Sequence, residues 1–204
     1  MGRQARRRRA LEEGGIETIV ESLARFGGEY PEQADEAGRF IAFARSGRDI
    51  CLRSRLDGHF TASCWLVSAD GERVLLTHHR KLQRWLQLGG HADGDADLAR
   101  VAWREALEES GLPELIVERR VFDIDAHAIP ARGAEPEHIH WDVRYVVHCR
   151  GSEDFAVSAE SLALAWVPVT EVLQSPDASL RRMAQRWQAQ RELVLPQTAV
   201  RATR

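Results

Sequence analysis

Residues 89–112 read GGHADGDADLARVAWREALEESGL, and the rest of the chain is organised around them. Glu105, Glu108 and Glu109 stand at i, i+3 and i+4, so a helix through them puts three carboxylates on one face. Like charges so placed repel, and the helix gains from them only when a cation sits among them. Oxygen donors of this kind suit a hard divalent ion. Gly111 provides the helix stop, and Asp95 or Asp97 can cap its start. Gly89-Gly90 permits a tight turn ahead of it, and the Gly90 carbonyl can approach a metal. Ala99, Trp103, Ala106 and Leu107 lie away from the glutamates and are expected against a sheet.

Before this stretch, residues 60–67 and 73–79 read as two strands joined at Asp70-Gly71, a hairpin signal. A short segment at 85–88 then leads into the diglycine. Upstream, residues 11–26 carry Leu11, Ile16, Ile19, Val20, Leu23 and Phe26 near helical spacing, and Gly27-Gly28 reads as the stop. Pro31 opens a second helix to about residue 46, with Ala37, Phe40, Ile41 and Ala44 on one side. These helices form an extension that packs on the core or makes a subunit contact, as in a homodimer.

After the stretch, residues 115–120 and 121–129 read as extended, and 130–136 as a loop. Residues 138–149 alternate: Trp141, Val143, Tyr145 and Val147 face one way, His138, His140, Asp142 and Arg144 the other. Asp123, Asp125 and His127 also alternate on one face; they either line the same cleft as His138 and His140 or form a solvent-facing or supporting row, and the second reading is favoured. Residues 162–167 give a last strand, followed by a short helix to about residue 173 and an amphipathic helix over 180–193. Strands, helix, then strands with flanking helices predict an α/β/α sandwich around a mixed β-sheet, with an N-terminal helical extension.

The chain has 204 residues, 44% hydrophobic, with six Trp, enough for one domain with a full core plus extensions. We divide it into a basic tail (1–10), the helical extension (11–55), the main domain around the 89–112 stretch (56–175) and a C-terminal helix and tail on that same domain (176–204). A net charge of -3 argues against a polyanion binder, hence against a nucleic-acid partner. Arg3 and the run from Arg6 to Arg9 read as a solvated, disordered tail; no apolar stretch follows, so it is not a secretory signal. No run reaches transmembrane length. Cys51, Cys64 and Cys149 lack metal-ligand spacing and are odd in number, which fits reduced thiols in the cytoplasm.

The stretch over 90–112 resembles the Nudix box: Gly, five residues, Glu, seven residues, Arg-Glu, an apolar residue, any residue, Glu-Glu, any residue, Gly and an apolar residue. Gly90, Arg104, Glu105, Ala106, Glu108, Glu109, Gly111 and Leu112 match in turn. Ala96 departs, standing where the pattern has its first Glu. The resemblance implies hydrolysis of a nucleoside diphosphate linked to another group X, a small-molecule phosphoanhydride. It also implies Mg²⁺ or Mn²⁺ on Glu105, Glu108, Glu109 and the Gly90 carbonyl, with Arg104 orienting the glutamates. Nudix enzymes often take a general base from a late loop, for which Glu160 is the candidate and Glu153 its competitor.

His59, His91, His138 and His140 form a further pattern, which resembles that of the isopentenyl diphosphate isomerases, themselves of Nudix fold. That resemblance implies a second site, for Zn²⁺ or Mn²⁺, on these four residues. The isomerase's catalytic cysteine would fall near Gly89, so its nucleophile is missing here. Three readings therefore stand: a Mg²⁺-dependent hydrolase, a non-catalytic ligand-binding or regulatory module, and an isomerase-like metal enzyme. The intact Arg104, Glu105, Glu108 and Glu109 favour the first; Ala96 is the residue that favours the second.

Overall fold

A mixed seven-stranded sheet carries the residues singled out above. Its strands are β1 (Gly58–Val67), β2 (Arg73–His79), β3 (Arg84–Leu86), β4 (Leu88–His91), β5 (Leu115–Ile129), β6 (His138–Cys149) and β7 (Ser161–Pro168). The helices are α1 (Gly2–Glu29), α2 (Ala34–Ala44), α3 (Leu98–Ser110), α4 (Val169–Val172) and α5 (Ala178–Val194). The computed structural model describes residues 2–80, 82–133, 135–157 and 161–194, with side chains between residues 14 and 193.

The strands run in the order β3-β2-β1-β6-β5, with β4 paired to β1 and β7 to β2. β1 lies parallel to β6 and antiparallel to β2 and β4. All ten residues of β1 are buried, because both sheet faces are covered. Phe60, Ala62, Cys64 and Leu66 enter one core, which Val143, Tyr145 and Val147 of β6 share with side chains of α1, α2 and α3. Trp65, Val67 and Val146 enter a second core with α4 and α5. This is the expected α/β/α sandwich, and the expected alternation of β6 puts its apolar row in the first core.

Several boundaries differ from the sequence reading, each for a packing reason. α1 runs through Gly27-Gly28 to Glu29 and, at its other end, takes in the arginine tail. Gly27 is a contact glycine, since a Cβ there would stand 3.1 Å from the Ala37 Cβ of α2. The second helix begins as a 3-10 turn, Pro31–Gln33, before α2. The two expected strands after Pro113 are one strand, β5, whose register against β6 shifts between Val117 and Val121 and again before Asp123.

The N-terminal extension packs on the core. Leu23, Phe26 and Phe40 are at most 1% exposed. Phe40 and Phe43 close on Trp141 of β6, with ring centroids 5.0 and 4.7 Å away. Each such burial stabilises by about 1.5–3 kcal/mol, so the extension belongs to the domain it covers.

α5 is fastened to the sheet by charge as well as by Leu180, Met183 and Trp187. Asp123 of β5 is fully buried and accepts hydrogen bonds from Arg144 (3.1 Å), Arg182 (2.8 Å) and Arg186 (2.7 Å). Arg144 in turn donates to Asp142 at 2.8 Å. The row of Asp123 and Asp125, read above as solvent-facing or supporting, is thus supporting, with Asp123 at the centre of a buried ion network. No helix among the described residues is long and apolar enough to cross a membrane.

Candidate active site

α3 starts at Asp97, whose side chain accepts the Arg100 amide, and ends at Gly111 with φ of 69°. These caps fix which turn of the helix meets the diglycine. β4 pairs Gly89 with Ser63 and Gly90 with Ala62. A Cβ at Gly89 would stand 2.6 Å from the Ser63 Cα, and one at Gly90 would stand 2.6 Å from the Glu105 Cδ. Both positions therefore need glycine, the second because a carboxylate lies against it.

Glu109 is only 8% exposed, and its carboxylate accepts the Gly89 amide at 2.8 Å. Arg104 donates to Glu105 at 2.8 Å and to the His91 carbonyl at 3.0 Å. The arginine thus ties the glutamate to the turn. Glu108, by contrast, is exposed. The structure brings Gly89, Gly90, Arg104, Glu105 and Glu109 together and leaves Glu108 at the rim. Glu160 lies outside the described residues. Glu153 accepts from the Ala69 amide and from Arg73, past the Val67 end of β1, whereas Gly89 pairs with Ser63 in the middle of that strand.

Ala96 has a structural partner. A Cβ at Gly15 of α1 would stand 2.6 Å from the Ala96 Cβ, so the extension crosses at this position. A longer side chain at either residue would push α1 off the domain. Ala96→Glu, which restores the residue of the box pattern, is expected to cost about 1–3 kcal/mol. A melting temperature equal to that of the unaltered protein would show that α1 does not press on this site.

The four singled-out histidines meet at the other side of the turn. β1 pairs His59 with His140, and β4 places His91 opposite Thr61, on the same sheet face. The His59 ring lies 5.2 Å from His91, 5.1 Å from His138 and 4.9 Å from His140, centroid to centroid. One ligand nitrogen from each of His59, His91 and His140 falls within 4.8 Å of the other two. Burial lowers the pKa of all three; His91 falls to about 4, with Arg53 adding to the effect, and His140 to about 2, with His91 and His59 adding to it. Each ring is therefore neutral at pH 7, with a lone pair available. His127, paired with His140 across β5 and β6, stands 5.6 Å from it and joins the cluster's edge. The sequence reading weighs His127, with Asp123 and Asp125, as lining the same cleft, and favours a solvent-facing or supporting row instead.

A family model described as NUDIX domain matches residues 57–188. No curated protein matches the chain in sequence. Among solved structures, the chain is similar to a C. elegans Ap4A hydrolase binary complex at 16% identity and a TM-score of 0.53, over 65% of this chain and 97% of that one. It is also similar to the E. coli dihydroneopterin triphosphate pyrophosphohydrolase, at 17% identity and 0.49, over 62% and 92%. A third is the NUDIX domain of Shewanella oneidensis NrtR complexed with ADP ribose, at 20% and 0.43, over 66% and 87%. At 16% identity the first likeness is one of fold.

Proposed function

The chain belongs to the Nudix family of pyrophosphohydrolases, and on that premise we propose that it hydrolyses a nucleoside diphosphate linked to another group, with Mg²⁺ or Mn²⁺ on its box carboxylates. The observation that carries this reading is the convergence of Glu105 and Glu109 on Gly89-Gly90. The donor set fits a hard ion: carboxylate oxygens beside a backbone that has no Cβ to fill the space. Glu105 and Glu109 would hold the ion, with Glu108 and the Gly90 carbonyl as further donors. A bound divalent ion supplies charge neutralisation at the phosphoanhydride oxygens and lowers the pKa of a water.

The chain's own residues supply placement. Arg104 holds the Glu105 carboxylate against the turn, so the donors need little reorganisation when the substrate arrives. The Gly89 amide fixes one oxygen of Glu109. Glu160 is our candidate for the general base, on its position just ahead of β7. The substrate class is a small-molecule phosphoanhydride.

A panel of nucleoside triphosphates, nucleotide sugars and dinucleoside polyphosphates tests this. We expect release of phosphate, pyrophosphate or a nucleoside monophosphate that depends on Mg²⁺ or Mn²⁺. Tight binding of such ligands with no turnover under either ion would instead support a binding module.

A further inference from the structure

Where α1 crosses the start of α3, the two helices do not close on each other or on β5, and a cleft of about 500 Å³ remains between them. Neither the diglycine nor Glu105, Glu108 or Glu109 lines this cleft, so it is distinct from the box carboxylates. Its floor is apolar, made by Ile19 and Phe26 of α1 and Val121 of β5, each at most 4% exposed. A space of this size, with an apolar floor and a few polar groups around it, has the form of a small-molecule site.

The polar groups have a shared preference. Tyr145 of β6 stands in the wall of the cleft and is 5% exposed. Its hydroxyl makes no hydrogen bond among the described residues, yet the atom is not sealed off, so it is open to whatever fills the cleft. Burial raises its pKa, with Asp97 adding to the effect, so it is a neutral O–H donor at pH 7. A buried hydroxyl without a partner is unfavourable, and a ligand atom would satisfy it. The rim is charged. Arg119 donates to Asp97 at 2.8 Å and Arg120 to Glu29 at 2.8 Å, while Arg25 has no ion pair among the described residues. Three guanidiniums thus face two carboxylates. Leu98 and Ala99, the first residues of α3, also line the cleft, and their amides have no acceptor within the helix. The excess positive charge and the helix N-terminus both favour an anion.

We propose that this cleft binds a small organic phosphate: a phosphate monoester at the arginine rim, carried on a ring that lies on the apolar floor and offers a polar atom to Tyr145. Guanidinium forks match phosphate oxygens. Each guanidinium has five N–H donors, so Arg119 and Arg120 can take up a phosphate without releasing their carboxylates. A ligand so placed touches α1, α3 and β5 at once, and fastens the N-terminal extension to the helix that carries Glu105 and Glu109. Binding to the folded chain alone also stabilises it by linkage. The inference does not depend on the hydrolytic reading, since it concerns a different face of α3 and not turnover.

The test uses the full chain in excess chelator, so that no divalent ion bridges a phosphate to the box. Adenosine monophosphate, glucose 6-phosphate and inorganic phosphate are the probes, followed by calorimetry and amide hydrogen exchange. At least one of the two esters is expected to bind saturably, one per chain and more tightly than inorganic phosphate. It should slow exchange in residues 15–29 and 96–99 and leave 89–91 unchanged. Tyr145→Phe should weaken binding about 3- to 10-fold, and Arg25→Glu about tenfold or more, with far-UV circular dichroism unchanged. Glu109→Gln should bind with unaltered affinity. Neither ester binding more tightly than inorganic phosphate would overturn the proposal. So would binding that ignores both Tyr145→Phe and Arg25→Glu, or protection confined to residues 89–91 and 105–109, because the ester would then sit at the box. None of these outcomes bears on whether the box hydrolyses a phosphoanhydride.

Discussion

Glu109→Gln is expected to lower kcat about 10²- to 10³-fold, the scale of losing one fixed electrostatic group from a catalytic site. The substitution is isosteric, and the amide oxygen can still accept the Gly89 N–H, so the turn and the fold are retained. What is lost is one negative charge in a nine-tenths buried position beside the diglycine. With that charge gone, the divalent ion is bound less tightly and the developing charge of the transition state is less well neutralised. The loss should fall mainly on kcat, because the interaction matters most as the phosphoanhydride breaks. Glu108→Gln is expected to cost less, since that side chain is exposed at the rim. Steady-state kinetics at saturating Mg²⁺ on both variants checks the order, and near-normal turnover in Glu109→Gln would remove the mechanism.

The largest stability effect is expected away from the site. Asp123→Asn keeps the side-chain volume and removes the single charge that Arg144, Arg182 and Arg186 share. Arg144 and Arg186 are themselves 3% and 8% exposed, so water cannot replace the lost partner. Breaking a buried ion cluster on one side costs about 3–5 kcal/mol. Domains are stable by only about 5–15 kcal/mol, so the loss is a large share of the total. For a chain of this size it corresponds to a fall in melting temperature of roughly 10 °C. A shift within about 0.5 kcal/mol, the usual range for a surface substitution, would show that the network contributes little.

Local signals carried most of the site. The glutamates, the capping aspartates, Gly111 and the Asp70-Gly71 hairpin act within a few residues, and each lies where its spacing predicts. The β6 alternation was legible because a strand of period two needs no partner to reveal its faces. What escaped depended on non-local partners. Gly27 reads as a helix stop until α2 is placed against it, and Ala96 reads as a defect in the box until Gly15 is placed against it. Helical spacing puts Glu105, Glu108 and Glu109 on one face but cannot say which of them the β4 turn will cover. Asp123 looks like a solvent-facing strand residue because its three arginine partners lie 21 or more positions away in sequence. The four histidines were named through a family resemblance. Their convergence needs the parallel register of β1 with β6, which no local pattern encodes.

The central claim is that water, activated at the box, attacks a phosphoanhydride. The most direct measurement is turnover of a cleaved phosphoanhydride in H₂¹⁸O with Mg²⁺, followed by mass spectrometry of the separated products. The account predicts one ¹⁸O in one phosphoryl product per turnover, with no incorporation without a divalent ion. A product of unchanged mass and rearranged bonding, or ligand that binds and returns unaltered and unlabelled, would contradict it.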